Sequence, residues 1–322
     1  MSSNDLANPG PGAGLEAGSG ATAATGGPDA GMAAAAATAG AAGGGRNPGP
    51  GAGSGPSILE EALRGKAPPW LERFLSAVGR GAHRHAMFAP GDKVLIGVSG
   101  GKDSLALAAA LALRRRRLPF DLELRGVLVD WTPFPAAPEG LARIEACFRL
   151  LGLPFEVLRA DPADYAASGP FSCYACARAR KRLLFGRAQE LGFGVVAFAH
   201  HLDDFAETAL MNLCFRGRFE PLAPVRNFGE GRGKAPIRVV RPLCELRESA
   251  VRTLAARLEL PVLSVDCPYK ATNLRGSLKP IVADLSKMDT LVRENIYRAC
   301  FGPPPARDGG ASRTGNGGSE ED

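Results

Sequence analysis

Gly97-Val98-Ser99-Gly100-Gly101-Lys102-Asp103-Ser104 follows directly on the apolar run Val94-Leu95-Ile96. A strand that empties into a glycine-rich turn with one lysine, and then into a helix, is suited to holding phosphate. Glycines let backbone N–H groups approach an anion, and the helix adds its positive N-terminal end. A Walker A loop needs four residues between its first glycine and Gly-Lys, then Ser or Thr for Mg²⁺. Here three residues separate Gly97 from Gly101-Lys102, and Asp103 follows the lysine. A Walker A loop is therefore excluded. A plain linking turn would explain the glycines but give Lys102 and Asp103 no work.

Outward from this loop, short apolar runs alternate with amphipathic stretches. Pro69–Phe88 carries Trp70, Phe74, Ala77 and Val78 at helical spacing and reads as a lead-in helix. Strands are expected at Val94–Val98, Leu122–Val129, Phe155–Leu158, Val195–Ala199 and Ile237–Val240. Helices are expected at Ser104–Arg115, Leu141–Leu151, Ala175–Glu190, Phe205–Phe215, Glu245–Leu258 and Ser286–Ala299. This alternation predicts an α/β fold with a doubly wound, mainly parallel sheet flanked by helices. Ligands in such sheets sit outside the carboxyl ends of the strands, at the switch point. The loop after Val98 and Asp130 at the end of the second strand are expected to face one crevice there.

The 322 residues divide by composition. Residues 1–55 are nearly all small or polar, too poor in large apolar side chains to offset the entropy of ordering, and are expected to be disordered. The same holds for the Gly/Pro/Ser-rich tail 302–322. Residues 56–301 remain as one α/β domain. The first 55 residues hold one Arg against three acids, and the last 21 hold two Arg against four. The middle thus carries 36 basic and 26 acidic residues, or +10, where the whole chain carries +6. Such a surplus fits a polyanionic partner. The N-terminus lacks the basic and apolar regions of a signal peptide, and no run approaches a membrane span. Seven cysteines, an odd number, fit a reducing cytoplasm.

Three further clusters carry chemistry. His200-His201-Leu202-Asp203-Asp204 follows the strand Val195–Ala199 and opens a helix. Asp203 or Asp204 is placed to cap that helix. Beside a phosphate loop, Asp103 and Asp203 are also the acids expected nearest a Mg²⁺ ion on ATP oxygens. Cys173-Tyr174-Ala175-Cys176 has a chelating spacing shared by zinc sites, iron–sulfur clusters and redox dithiols, with a lone Cys267 downstream. Cys147, Cys214, Cys244 and Cys300 lie in helix-like apolar stretches and read as buried thiols. Arg178, Arg180, Lys181, Arg182 and Arg187 follow the cysteine pair, and Arg216 and Arg218 end the next helix. A solvated face is the common fate of such runs; next to a nucleotide site they fit RNA phosphates, by backbone and shape contacts more than base stacking.

Ser99–Ser104 resembles the PP-loop of the N-type ATP pyrophosphatases. With the Cys173/Cys176 pair, the HHxDD segment at 200–204, Glu207-Thr208, Asn212, Arg241-Pro242-Leu243, Arg247-Glu248, Cys267-Pro268-Tyr269 and Asn273-Leu274-Arg275, residues 70–300 resemble the tRNA 2-thiocytidine synthetase family. Ala199 stands where that family often has glycine, and residues 1–55 match nothing in it. The zinc-finger modules that flank the 2-thiouridine branch are absent.

The resemblance implies an enzyme, a tRNA sulfurtransferase, that adenylates the C2 oxygen of an anticodon-loop cytidine and replaces it with sulfur. ATP would be held by Ser99, Gly100, Gly101, Lys102, Asp103, Ser104, Asp130 and His200. Lys102, Asp103 and Asp203 would serve catalysis with Mg²⁺. A [4Fe–4S] cluster would sit on Cys173, Cys176 and Cys267, and tRNA on Arg178, Arg180, Lys181, Arg182 and Arg216. Partners implied are tRNA and a sulfur donor such as a cysteine desulfurase, with no membrane; a homodimer is compatible with this reading. Two alternatives stay open: another PP-loop tRNA-modifying enzyme (2-thiouridine or lysidine synthetase-like), or a zinc-stabilised binding module without catalysis.

Overall fold

A computed structural model describes residues 56–165, 173–229, 235–263 and 274–302; at 163, 173, 174 and 274–276 it describes the backbone alone. Residues 1–55, Cys267 with its Pro-Tyr sequel, Asn273 and the tail from 303 lie outside the described residues. Along the chain these form α1 (Ile58–Leu63), α2 (Pro69–Arg84), β1 (Lys93–Val98), α3 (Lys102–Arg115), β2 (Glu123–Trp131), α4 (Pro138–Leu150) and β3 (Phe155–Ala160). There follow α5 (Cys173–Glu190), β4 (Val195–Ala197), α6 (Leu202–Arg216), β5 (Val225–Phe228), β6 (Ile237–Val240), α7 (Glu248–Arg257), α8 (Leu274–Met288) and α9 (Val292–Phe301). The sheet order is β3-β2-β1-β4-β6-β5, parallel except for β5 against β6.

Alternation along the strands divides the core between the two faces of the sheet. Val94, Ile96 and Val98 join Leu124 and Leu128 in one cluster with α2, α3 and α4. Leu95, Val127, Val129 and Val196 turn the other way onto Ala179, Leu184 and Ala188 of α5. The Ala/Leu sequence of α3 is buried from Ser104 to Leu113, so this helix shows no polar stripe. Two sequence expectations are corrected here. The helix expected at Ser286–Ala299 is two helices, because Asp289 accepts the Leu291 N–H (2.8 Å) in a turn between α8 and α9. Cys214, expected to be buried, is exposed, because the last turn of α6 runs past the core: Leu213 and Phe215 there are 46% and 61% exposed. Cys244 is buried, as expected, and Cys147 and Cys300 are half-buried. Strand β5 was not expected; four residues with exposed Arg226 and Asn227 carry no strand signal until β6 pairs with them.

The chain enters the sheet centrally, winds outward to β3, and returns to the other side of β1 at β4. The switch point thus lies between β1 and β4, where Ile96 stands opposite Ala197. That register brings residues 99–101 and 198–204 out at one edge. Among the described residues no helix is long and apolar enough to cross a membrane.

Candidate nucleotide and cysteine sites

The turn after β1 is ordered by its own hydroxyls. Ser104 Oγ donates to the Gly101 carbonyl (2.9 Å) and accepts the Ser99 N–H (3.1 Å), while Ser99 Oγ accepts the Gly101 N–H (3.3 Å). Gly100 sits at φ +79°, and a Cβ there would meet Leu263 Cδ1 at 2.7 Å. Alanine at 100 would combine left-handed strain with that clash. Lys102 starts α3 and places its ammonium 2.8 Å from Glu248 Oε1 and 3.0 Å from Asp103 Oδ1. Asp103 Oδ1 is buried and lies off any hydrogen-bond line, a carboxylate oxygen with capacity to spare.

The segment between β4 and α6 faces this turn. Asp204 accepts the His201 N–H (2.8 Å) and caps α6. Asp203 points inward instead: Oδ1 pairs with Arg293 of α9, and Oδ2 accepts the backbone N–H of Glu248 at 2.7 Å. His201 is buried, its Nε2 3.9 Å from Asp103 Oδ1 and its Nδ1 3.4 Å from Asp204 Oδ2. Burial would raise the Glu248 carboxyl, but the hydrogen bond and charge of Lys102, with Lys279 and His201 near, outweigh it and hold it down to about 2. Burial would lower the Lys102 ammonium; Glu248 and Asp103 instead hold it above the ordinary lysine range.

Glu248 and Arg293 therefore belong to this site, and neither was assigned a role from sequence. In the sequence, Glu248 stands out only within the Arg247-Glu248 pair of the family resemblance. Arg293 lies 90 residues from Asp203, a separation no local signal spans.

Asp130 and His200 are each engaged by a group outside the Lys102 cluster. Asp130 is buried, and its Oδ1 accepts the Ala136 N–H at 2.8 Å, closing the loop after β2. His200 Nδ1 accepts from Arg241 Nε at 3.1 Å.

On the other face, α5 opens with Cys173 and Cys176 one turn apart. Cys176 is half-buried against the α5 core. Two cysteines on one helical turn have a chelating spacing; the expected third, Cys267, lies outside the described residues. Among the described residues no group of three His, Cys, Asp or Glu converges on a metal. The basic run that follows splits in two. Arg178 and Arg182 are exposed. Arg180 lies over Trp131 (5.9 Å), and Lys181 Nζ stands 3.8 Å from the Phe228 ring centre. Burial, then the charges of Arg241 and Arg226, push the Lys181 ammonium down to about 8. Arg187 pairs with Glu156 and Glu190. Arg216 is exposed at the end of α6.

A family model described as a PP-loop domain matches residues 77–262. A curated "tRNA-cytidine(32) 2-sulfurtransferase" of an Anaeromyxobacter species is 30% identical over 233 residues, covering 71% of this chain and 75% of that protein. Its namesake in Pelobacter propionicus is 31% identical over 241 residues, covering 72% and 86%. Among solved structures, a "U34-tRNA thiolase NcsA" of Methanococcus maripaludis with its [4Fe-4S] cluster superposes with a TM-score of 0.60 at 23% identity, covering 71% of this chain and 78% of the other. That last likeness is one of fold.

Proposed function

The chain belongs to the PP-loop family, in the group of tRNA-cytidine(32) 2-sulfurtransferases, and from that premise we propose that it adenylates the C2 oxygen of an anticodon-loop cytidine and exchanges that oxygen for sulfur. The observation that carries this reading is the meeting of Lys102, Asp103, His201 and Glu248 at the switch point beside a self-ordered glycine turn. ATP lies with its phosphates over residues 99–104 at the N-terminus of α3, the Gly101 N–H exchanging its Ser99 Oγ partner for a phosphate oxygen. The cytosine oxygen attacks the α-phosphorus, the bond to the β-phosphate oxygen breaks, and pyrophosphate leaves. Negative charge grows on that leaving group, so Lys102 stabilises the transition state more than the ground state. Sulfide then attacks C2, and AMP departs with the former oxygen.

Mg²⁺ would suit Asp103, whose Oδ1 is a buried hard donor without a hydrogen bond. Asp203 supports the site through Arg293 and the Glu248 N–H, both of its oxygens being so engaged. A [4Fe–4S] cluster fits the thiolate chemistry of Cys173, Cys176 and Cys267, and when bound it would supply an iron that binds incoming sulfide. Arg178, Arg182 and Arg216 offer exposed cations to tRNA phosphates, and Lys181 and Arg180 a flatter cationic floor over Phe228 and Trp131. A desulfurase-type sulfur donor and a homodimer belong to the same proposal, as does a cytoplasmic location. Anaerobic purification with an absorbance spectrum and analysis of iron, sulfide and zinc tests it. Brown protein with iron and acid-labile sulfide is expected; colourless protein with one zinc per chain would overturn the cluster.

A further inference from the structure

Glu248 is placed differently from an ordinary surface acid. It opens α7, its backbone N–H is anchored on Asp203 Oδ2 (2.7 Å), and Asp203 is held in turn by Arg293 of α9. Its carboxylate is thus fixed from behind by contacts that do not involve its own side chain. In front, its two oxygens serve different cations. Oε1 takes Lys102 at 2.8 Å, with Arg252 at 3.5 Å, while Oε2 faces Lys279 of α8 at 3.7 Å. Lys279 is half-exposed and approaches no other carboxylate among the described residues.

Lys102 therefore has three anionic claimants, the Asp103 and Glu248 carboxylates and the phosphates of ATP. An ammonium has three N–H donors, and Asp103 and Glu248 take two of those on Lys102. A phosphate that captures Lys102 fully leaves Glu248 with charge to be matched, and Lys279 is the cation standing on its other oxygen. We propose that Glu248 is a positioning residue for Lys102, releasing it to the ATP phosphates as Lys279 takes over the carboxylate. This rests on the adenylation reading above and deepens it. It has a consequence that a purely structural role lacks. Removing the charge of Glu248 removes a competitor for Lys102 and a repulsion toward ATP, so nucleotide binding tightens. It also leaves Lys102 unaimed, so chemistry slows. The two effects have opposite sign.

The test uses the full chain. Affinity is measured with the α,β-methylene analogue of ATP, and tRNA-dependent pyrophosphate release is measured with ATP. Glu248→Gln is expected to bind the analogue about fivefold tighter, the scale of a half-exposed ion pair. It is expected to release pyrophosphate about tenfold slower, an orientation loss. Glu248→Asp, which keeps a carboxylate, is expected to recover part of the rate. Lys279→Gln is expected to weaken analogue binding about threefold alone and to have no effect in the Glu248→Gln background. Melting temperature checks that each variant is folded. Weaker binding together with slower release in folded Glu248→Gln would overturn the proposal. So would a Lys279→Gln penalty that persists in the double variant, since Lys279 would then act on ATP directly. Absence of pyrophosphate release by the unsubstituted chain would overturn adenylation instead, and the binding arm would still decide the role of Glu248.

Discussion

At the proposed nucleotide and tRNA sites, on opposite faces of the sheet, the cations are held by different means. On the α3 side, Lys102 meets both Asp103 and Glu248 and Arg293 meets Asp203, and Asp203 is itself anchored by the Glu248 N–H. On the α5 side, Arg180, Lys181 and Arg182 lie over the rings of Trp131, Phe228 and Tyr165. Anchored ion pairs fix an ammonium to within a bond length. Ring faces hold a cation loosely and leave its charge available to a large anion. The contrast matches the two partners proposed: a small triphosphate that needs placement on one side, and a polynucleotide that needs charge on the other.

The largest expected effect tests the first half of that contrast. Lys102→Ala should lower tRNA-dependent pyrophosphate release by on the order of 10²-fold or more, with tRNA affinity in a filter-binding assay nearly unchanged. Equal losses in both would mean the faces are not separable. Cys176→Ser should do the reverse. It should lose iron and cut thiolation by at least the roughly 10- to 100-fold that weakening a metal's support costs, while pyrophosphate release continues. Loss of both activities with iron retained would contradict a separate sulfur side.

Arg293→Ala removes one partner of an ion pair in which Asp203 is only 10% exposed. It should cost about 2 kcal/mol of folding stability by urea denaturation and loosen Glu248 with it. An unchanged midpoint would mean α9 does not brace the site. The smallest effect concerns Lys181. Its folded ammonium titrates near 8, below the ordinary lysine value of 10.5. The unfolded chain therefore binds more protons between those values, and stability should rise with pH across about 8 to 10.5. Affinity for tRNA should fall as the charge is lost around pH 8. Lys181→Met, which keeps apolar cover on Phe228, should flatten both trends; a retained pH dependence would assign them to another group.

Much of the α3 side was legible because its signals are local. Gly100, Gly101, Lys102 and Asp103 are contiguous, and strand–turn–helix follows from hydropathy and glycine placement alone. The β4–α6 segment was legible for the same reason, although sequence left open which of Asp203 and Asp204 caps α6. Register decided that: Asp204 reaches the His201 N–H, and Asp203 is turned toward α7 and α9. Glu248 and Arg293 were silent because an acid that opens a helix and an arginine in an amphipathic helix are ordinary until tertiary packing joins them to residues 146 and 90 positions away. The basic run of α5 was visible as charge, but the rings its members face come from distant elements: Trp131 of β2 for Arg180, Phe228 of β5 for Lys181 and Tyr165 for Arg182.

The measurement that bears most directly on the proposed chemistry is nucleoside analysis of tRNA after incubation with the full, anaerobically prepared chain, ATP, Mg²⁺ and sulfide. The account predicts AMP and pyrophosphate in step with one anticodon-loop cytidine whose C2 oxygen has become sulfur. AMP and pyrophosphate formed with an amine joined at that carbon, or with no change in cytidine, would contradict it.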